Sequence, residues 1–185
     1  MENNIVRPKV TLLNPEAVKT AFRDIGRFAS ICKSTDVEAE LPDKKAQIIG
    51  FSCVKAGHFS ASRGIMWLFK IENMSRVASH QLVRHHVGVA INQASGVFAG
   101  ATEDIVVPDS VLVHMSNHEE LTDDIEKLNV LADKIYKRLT DLGTSKSDAR
   151  YFMPLARVTH MNIGLTPEAL MHIANERLCT KAQWE

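Results

Sequence analysis

Between residues 81 and 98 the chain reads QLVRHHVGVAINQASGVF, where Gln81, Arg84, His85 and His86 precede a run of small residues and the segment Asn92-Gln93-Ala94-Ser95. Ser75 is a good cap for a helix running to about His86. On such a helix Gln81, Arg84 and His85 share a face, while His86 points about 100° away. An amide, a guanidinium and an imidazole projecting together make a donor-rich surface. The planar fork of Arg84 matches the paired oxygens of a phosphate or the carbonyl groups of a base. The alternative is a solvated polar face of no special chemistry. Gly88, Ala90, Gly96, Gly100 and Ala101 then keep side chains short, which lets backbone N–H groups approach a ligand closely.

Elements on either side must position these residues. Asn14-Pro15-Glu16 supplies cap, proline and acid for a helix start, followed by Val18, Phe22, Ile25 and Phe28 on one face. Leu41-Pro42-Asp43 opens a second helix expected to end near Gly57. Ile65 to Ile71 is a short, bulky apolar run and reads as a buried strand, with a buried helical segment as the competing reading. Residues 99–116 read as irregular, with Val106-Val107-Pro108 extended. Asn117 is expected to start a long helix striped by Leu121, Ile125, Leu128, Ile135, Leu139 and Leu142 and stopped by Gly143. Ser147 to Met153 reads as a short helix before Pro154, Leu155 to Ile163 as a strand, and Thr166-Pro167-Glu168 as the start of the last helix. Helices and strands mixed without regular βαβ alternation predict an α+β fold. No repeat or low-complexity segment interrupts the chain, which predicts one domain over 1–185.

The totals narrow the function classes. The chain has 185 residues, enough for a substantial core, with 45% hydrophobic and 24% charged residues. Lys plus Arg and Asp plus Glu are 22 each, so the basic excess expected of a nucleic-acid binder is absent. Small anionic ligands need only a few local arginines and remain open. The N-terminus lacks the layout of a signal peptide, and no apolar run approaches the roughly 20 residues of a membrane span. Cys32, Cys53 and Cys179 are odd in number and form no CxxC pair, which favours reduced thiols and a cytoplasmic setting. Cys53 and Cys179 read as small buried residues. His114 and His118 have the i, i+4 spacing of a metal pair but no third His or acidic partner in evidence, so no metal is expected. His80, His160 and His172 read as surface or core histidines.

In four ordered places the chain resembles the flavin-dependent thymidylate synthases (ThyX). Arg84-His85-His86, eight residues and Ser95 resemble the family signature Arg-His-Arg, spacer, Ser, x, Arg. Gly57-His58-Phe59-Ser60 resembles its Gly-His-x-Ser/Thr, and Asp148-Ala149-Arg150 with Pro154 resembles its Ala-Arg-x-x-Leu-Pro. Arg177 followed by Ala182-Gln183-Trp184-Glu185 resembles its Arg-x-x-x-x-Ala-Gln-x-Glu. The resemblance implies a ThyX-like domain with a central, mostly antiparallel sheet flanked by helices, assembled as a homotetramer with sites at subunit interfaces. FAD would be the prosthetic group. Methylenetetrahydrofolate would donate the one-carbon unit and NADPH the reducing equivalents, converting dUMP to dTMP. By the same resemblance Gln81, Arg84, Gln93, Ala94, Ser95, Gly96, Arg150 and Arg177 match nucleotide-binding positions. Arg150 would reach the phosphate from another subunit, and Arg177 would hold the pyrimidine. His58, Ser60, Arg84, His85, His86, Asn92 and Gln93 match flavin-side positions. Arg84, Ser95 and Arg177 fall at the catalytic ones.

The chain also departs from that pattern. His86 stands where the signature has its second Arg, Val97 where it has the Arg after Ser, and Ala90 where a Ser is common. Arg63 replaces the Glu expected in the Gly-His segment, and Thr166-Pro167-Glu168 replaces an Asn-x-Arg. Arg63 is expected to make good the charge lost at His86, and the tail is expected to be shorter than in typical members. Substitutions of this kind leave two further readings beside thymidylate synthesis. One is action on another pyrimidine nucleotide; the other is a flavin- or nucleotide-binding paralogue without catalysis.

Overall fold

The computed structural model describes residues 5–32, 40–95 and 104–185. Four strands form a sheet in the order β1-β2-β4-β3, antiparallel at every pairing. They are β1 (Lys9–Leu12), β2 (Trp67–Ser75), β3 (Val89–Gln93) and β4 (Val158–Leu165). The helices are α1 (Pro15–Ser30), α2 (Asp43–Lys55), α3 (Arg76–Leu82), α4 (Asp109–Asn117), α5 (Glu119–Asp141), α6 (Lys146–Ala149) and α7 (Pro167–Arg177). This is the expected α+β architecture.

Period-two alternation sorts the sheet into two faces. Met161, Ile163 and Leu165 of β4 are buried with Met74, and α3 and α7 close over them through Ala78, Ala169 and Ile173. The opposite face carries Lys70, Asn92 and Asn162, with Asn162 opposite both of the others. The run from Ile65 is therefore a strand, beginning at Trp67. It bulges between Ile71 and Met74, where Asn73 adopts a positive φ of 57°, a conformation asparagine tolerates better than bulky residues. The predicted strand near Leu155 begins three residues later, at Val158.

Four sequence expectations are corrected. The helix capped by Ser75 stops at Leu82, well before His86; the Ser75 hydroxyl does accept from Ala78 N–H. The small-residue stretch holds a strand, β3, because Val89 and Ile91 alternate with Ala90 and Asn92 and pack inward. Residues 109–117 form α4, whose Val111, Leu112 and Met115 cover Ile105 and Val107 in a second apolar cluster with Ile125. Asn117 consequently ends a helix instead of starting one, donating to the Val113 carbonyl at 2.7 Å, and α5 begins at Glu119. Gly143, with φ of 88°, does terminate the long helix.

Asn14 precedes α1 as expected, yet its side chain caps nothing there. It donates to Met66 O at 2.9 Å and accepts from Leu68 N–H at 2.7 Å, pinning α1 to β2. α1 and α2 lie backbone to backbone: a Cβ on Gly26 would stand 1.8 Å from Ala46 O, and one on Gly50 would stand 1.9 Å from Phe22 O. Ile25 is buried against this seam, whereas Phe22 and Phe28 of the predicted apolar face are exposed.

Gly26→Ala and Gly50→Ala therefore oppose two effects. Helix propensity favours alanine by about 1 kcal/mol, while forcing a methyl group into a backbone oxygen costs about 3 kcal/mol or more. Each variant should unfold at lower urea with an unchanged m-value; an unchanged or higher midpoint would contradict the close helix contact.

Candidate functional site

Past Leu82 the chain leaves the α-helix through turn-type hydrogen bonds, Arg84 N–H to Gln81 O and His85 N–H to Leu82 O. Gln81 and His85 still converge, but on Arg177 at the end of α7 and not through a shared helical face. Arg177 Nη1 donates to Gln81 Oε1 at 2.8 Å, Nη2 to Gln81 O at 3.3 Å and Nε to His85 Nε2 at 3.2 Å. A guanidinium carries five N–H donors, so three bonds orient the group and leave two donors for a ligand. His85 packs edge-on against His172, centroids 5.6 Å apart. Its pKa is lowered from the ordinary histidine value, first by burial and then by the like charges of Arg177 and His172. A neutral imidazole is the form that can accept from Arg177.

Arg84 and His86 are exposed, and among the described residues Arg84 has no ion-pair partner. His58, which precedes the 3-10 segment Phe59–Gly64, and Ser60, within it, are exposed. β3 sends Asn92 and Gln93 to opposite faces: Asn92 is exposed, whereas Gln93 Nε2 donates inward to Ser79 Oγ at 3.0 Å and Thr159 Oγ1 at 3.2 Å. Ala94 N–H donates to His160 O at 2.8 Å, which places Ala94 beside the start of β4. Gly96, with Val97, Gly100 and Ala101, lies outside the described residues.

Arg150 is exposed at the start of a 3-10 turn. Its charge acts on Arg76 of the same chain, whose guanidinium pKa is lowered by burial first and by Arg150 second. Arg76 Nη2 reaches Ala94 O at 3.4 Å, and among the described residues no carboxylate pairs with it. Sequence reasoning passed over Arg76. One signal was available: a cation in the first turn of a helix opposes the helix dipole, which marks a residue used for something other than helix stability.

Arg63 does not serve as a free charge near His86. It is bound by Glu168 through two hydrogen bonds, of 2.6 and 3.0 Å. Cys179 is exposed, not buried, and Cys53 is half-buried. His114 and His118 stack at 6.4 Å on the surface, and among the described residues no group of three or more His, Cys, Asp or Glu gathers as a metal site. No helix there is long and apolar enough to cross a membrane.

The arrangement is a cationic, donor-rich surface spread over α3, the loop after it, the end of β3 and the end of α7. Its fold matches a UMP/dUMP methylase, PolB, from Streptomyces cacaoi bound with 5-Br dUMP, with a TM-score of 0.69 at 16% identity, covering 94% of this chain and 78% of that one. Residues 15–185 match the family model for thymidylate synthase complementing protein. The chain belongs to that family. A flavin-dependent thymidylate synthase of Pyrococcus furiosus is 31% identical over 154 residues, covering 81% of this chain and 58% of its own length. The Geobacter sulfurreducens enzyme of the same description is 34% identical over 131 residues, covering 70% and 55%. The chain spans little more than half the length of these relatives.

The state of His85 gives a pH dependence. An unfolded chain protonates its imidazole near the ordinary value of about 6.5, whereas folded His85 resists protonation until lower pH. Below that value the unfolded state holds more protons, so this residue's contribution to stability falls as pH drops through the window under 6.5. The imidazole resonance of His85 should titrate below 6.5 in the native protein and move upward in Arg177→Met, which removes a neighbouring charge. Titration at or above 6.5 in the unaltered protein would contradict the arrangement.

Proposed function

We propose that this chain is a flavin-dependent enzyme that methylates C5 of dUMP, taking a methylene unit from methylenetetrahydrofolate and reducing equivalents from NADPH. The observation that carries the reading is Arg177, held by Gln81 and His85 with two donors to spare. Making C5 nucleophilic drives negative charge onto the pyrimidine carbonyl oxygens. A guanidinium fixed in advance beside such an oxygen stabilises that charge without reorganising. Neutral His85 serves this role, since it orients Arg177 without cancelling its charge.

The residues also fit the cofactor. Exposed His58, Ser60, Arg84 and Asn92 supply donors, and Arg84 brings a positive charge to an anionic diphosphate. FAD, when bound and reduced, supplies the hydride that turns the transferred methylene into a methyl group. Arg76 and Arg150 supply positive charge for the nucleotide phosphate, with Ala94, Ser95 and Gly96 proposed as its backbone-side neighbours and Gln93 as a flank of the nucleotide. Ser95, Arg84 and Arg177 are the residues proposed to act in the reaction itself.

A homotetramer belongs to the same reading. Phe28, Leu128, Leu131, Leu142 and Phe152 are more than half exposed on the single chain, and apolar surface on this scale marks protein contacts. With Arg150 of the same chain already acting on Arg76, the assembly need only complete the site. The setting proposed is cytoplasmic, within one domain.

The test is release of tritium from [5-3H]dUMP in the presence of FAD, NADPH and methylenetetrahydrofolate, run in parallel with [5-3H]UMP because the solved fold-mate is described for both nucleotides. Release should depend on FAD, and Arg177→Ala should lower it about a hundredfold or more. Release from UMP alone would move the assignment to the ribonucleotide. No release from either, with no quenching of FAD fluorescence on titration, would remove the enzyme reading.

A further inference from the structure

We propose that Arg63 and Glu168 form a charge-reversed positioning pair that docks the turn carrying His58 and Ser60 onto the start of α7. The two residues stand 105 positions apart in sequence, yet their side chains meet in a bidentate fork, Nε to Oε2 at 2.6 Å and Nη2 to Oε1 at 3.0 Å. Each charge stabilises the ionised form of the other: the Glu168 carboxyl pKa is lowered chiefly by its hydrogen bond to Arg63, and the Arg63 pKa is raised chiefly by the same bond.

Both positions depart from the family pattern described above, which has Glu at the first and Arg at the second. Taken singly, the two departures read as unrelated. Changing one sign alone would set like charges face to face, whereas in this chain both signs differ from that pattern and the two side chains meet. The exchange also suits the helix, because a carboxylate in the first turn of α7 agrees with the helix dipole.

The pair sits where three parts of the site meet. Arg63 lies within Phe59–Gly64, the segment that follows His58 and contains Ser60. Thr166, two residues before Glu168, donates its N–H to Gly88 O at 2.9 Å, holding the loop that follows His86. The far end of the same helix delivers Arg177 to Gln81 and His85. Eleven residues at 1.5 Å each make α7 a rigid rod of about 16 Å, so a shift at its start moves Arg177. An exposed pair contributes little to global stability; its effect is in placing the turn. The link to ligand affinity rests on the proposed function above, but the pair itself does not.

The experiment is a double-mutant cycle on the full chain with Arg63→Glu, Glu168→Arg and the two combined. Amide hydrogen exchange over residues 58–65 without ligand is the first readout. Each single variant should exchange roughly threefold faster or more, and the double variant should return to within about twofold of the unaltered protein. FAD affinity, by fluorescence quenching, should follow the same order while urea midpoints stay close together. Single variants with unchanged exchange, or a double variant no slower than either single, would overturn the pair. Restored exchange with FAD affinity still lost in the double variant would overturn the positioning role, because it would show Arg63 or Glu168 acting on the ligand by its own charge. If the unaltered protein binds no FAD, the proposed cofactor falls, and the exchange cycle still decides the pair.

Discussion

The convergence of Gln81 and Arg177 and the facing of Asn92 and Gln93 depend on the alternation of β4 and its two neighbours. β4 pairs with β2 on one side and β3 on the other, so its inward residues must be apolar and its outward ones can be polar. Met161, Ile163 and Leu165 accept the weight of α3 and α7, and those two helices bring Gln81 and Arg177 together. The strand's one inward polar group near the site, Thr159, is 2% exposed and accepts from Gln93. Shifting β3 by one residue would exchange Gln93 for Asn92 on the buried side. The asparagine side chain is too short to bridge Ser79 and Thr159 in the same way. The register of one strand pair therefore decides which amide braces the core and which meets solvent.

The chain's elements were legible wherever local chemistry and tertiary need agreed. Asn14-Pro15, Ser75 and Thr166-Pro167 all stand at helix starts, and Ser75 and Thr166 accept the backbone bonds expected of caps. Asn14 shows the limit of such reasoning, because its position marks the helix start while its side chain serves β2. β3 was hidden because alanine and asparagine are weak strand formers; its strand state comes from five ladder partners on β4. The boundary near 117 was read to within two residues, but the helix before it, α4, was missed, since residues 99–116 read as irregular. His118 in extended conformation and Asn117 turning back onto Val113 separate the two helices.

For the site, residue types were legible and contacts were not. Gln81, His85 and Arg177 were each named from motifs, but the convergence of the first two on the third depends on where α3 stops. Arg76 was passed over because its contact follows from the return of Ala94 past His160, and the one local signal, a cation in the first turn of α3, names no partner. Arg63 was read as compensation for His86 and Glu168 as a separate departure, because sequence spacing cannot show that two distant residues touch.

The arginines finally divide by the partners the fold gives them. Arg157 is buried and bound to Asp133 at 2.7 Å, holding α5 to the entry of β4. Arg63 faces Glu168, and Arg27 faces Asp43. These charges are neutralised by carboxylates, so they serve construction. Arg177 and Arg76 are held only by neutral acceptors among the described residues: an amide, an imidazole and backbone carbonyls. A cation oriented by neutral groups keeps its full charge for something else. The Arg76 pKa is lowered first by burial and then by Arg150, and among the described residues no carboxylate pairs with it. A phosphate placed there would reverse the second cause and offset the first. The chain tolerates this unfavourable pair of cations because α3 and β4 are fixed by apolar packing that does not depend on it.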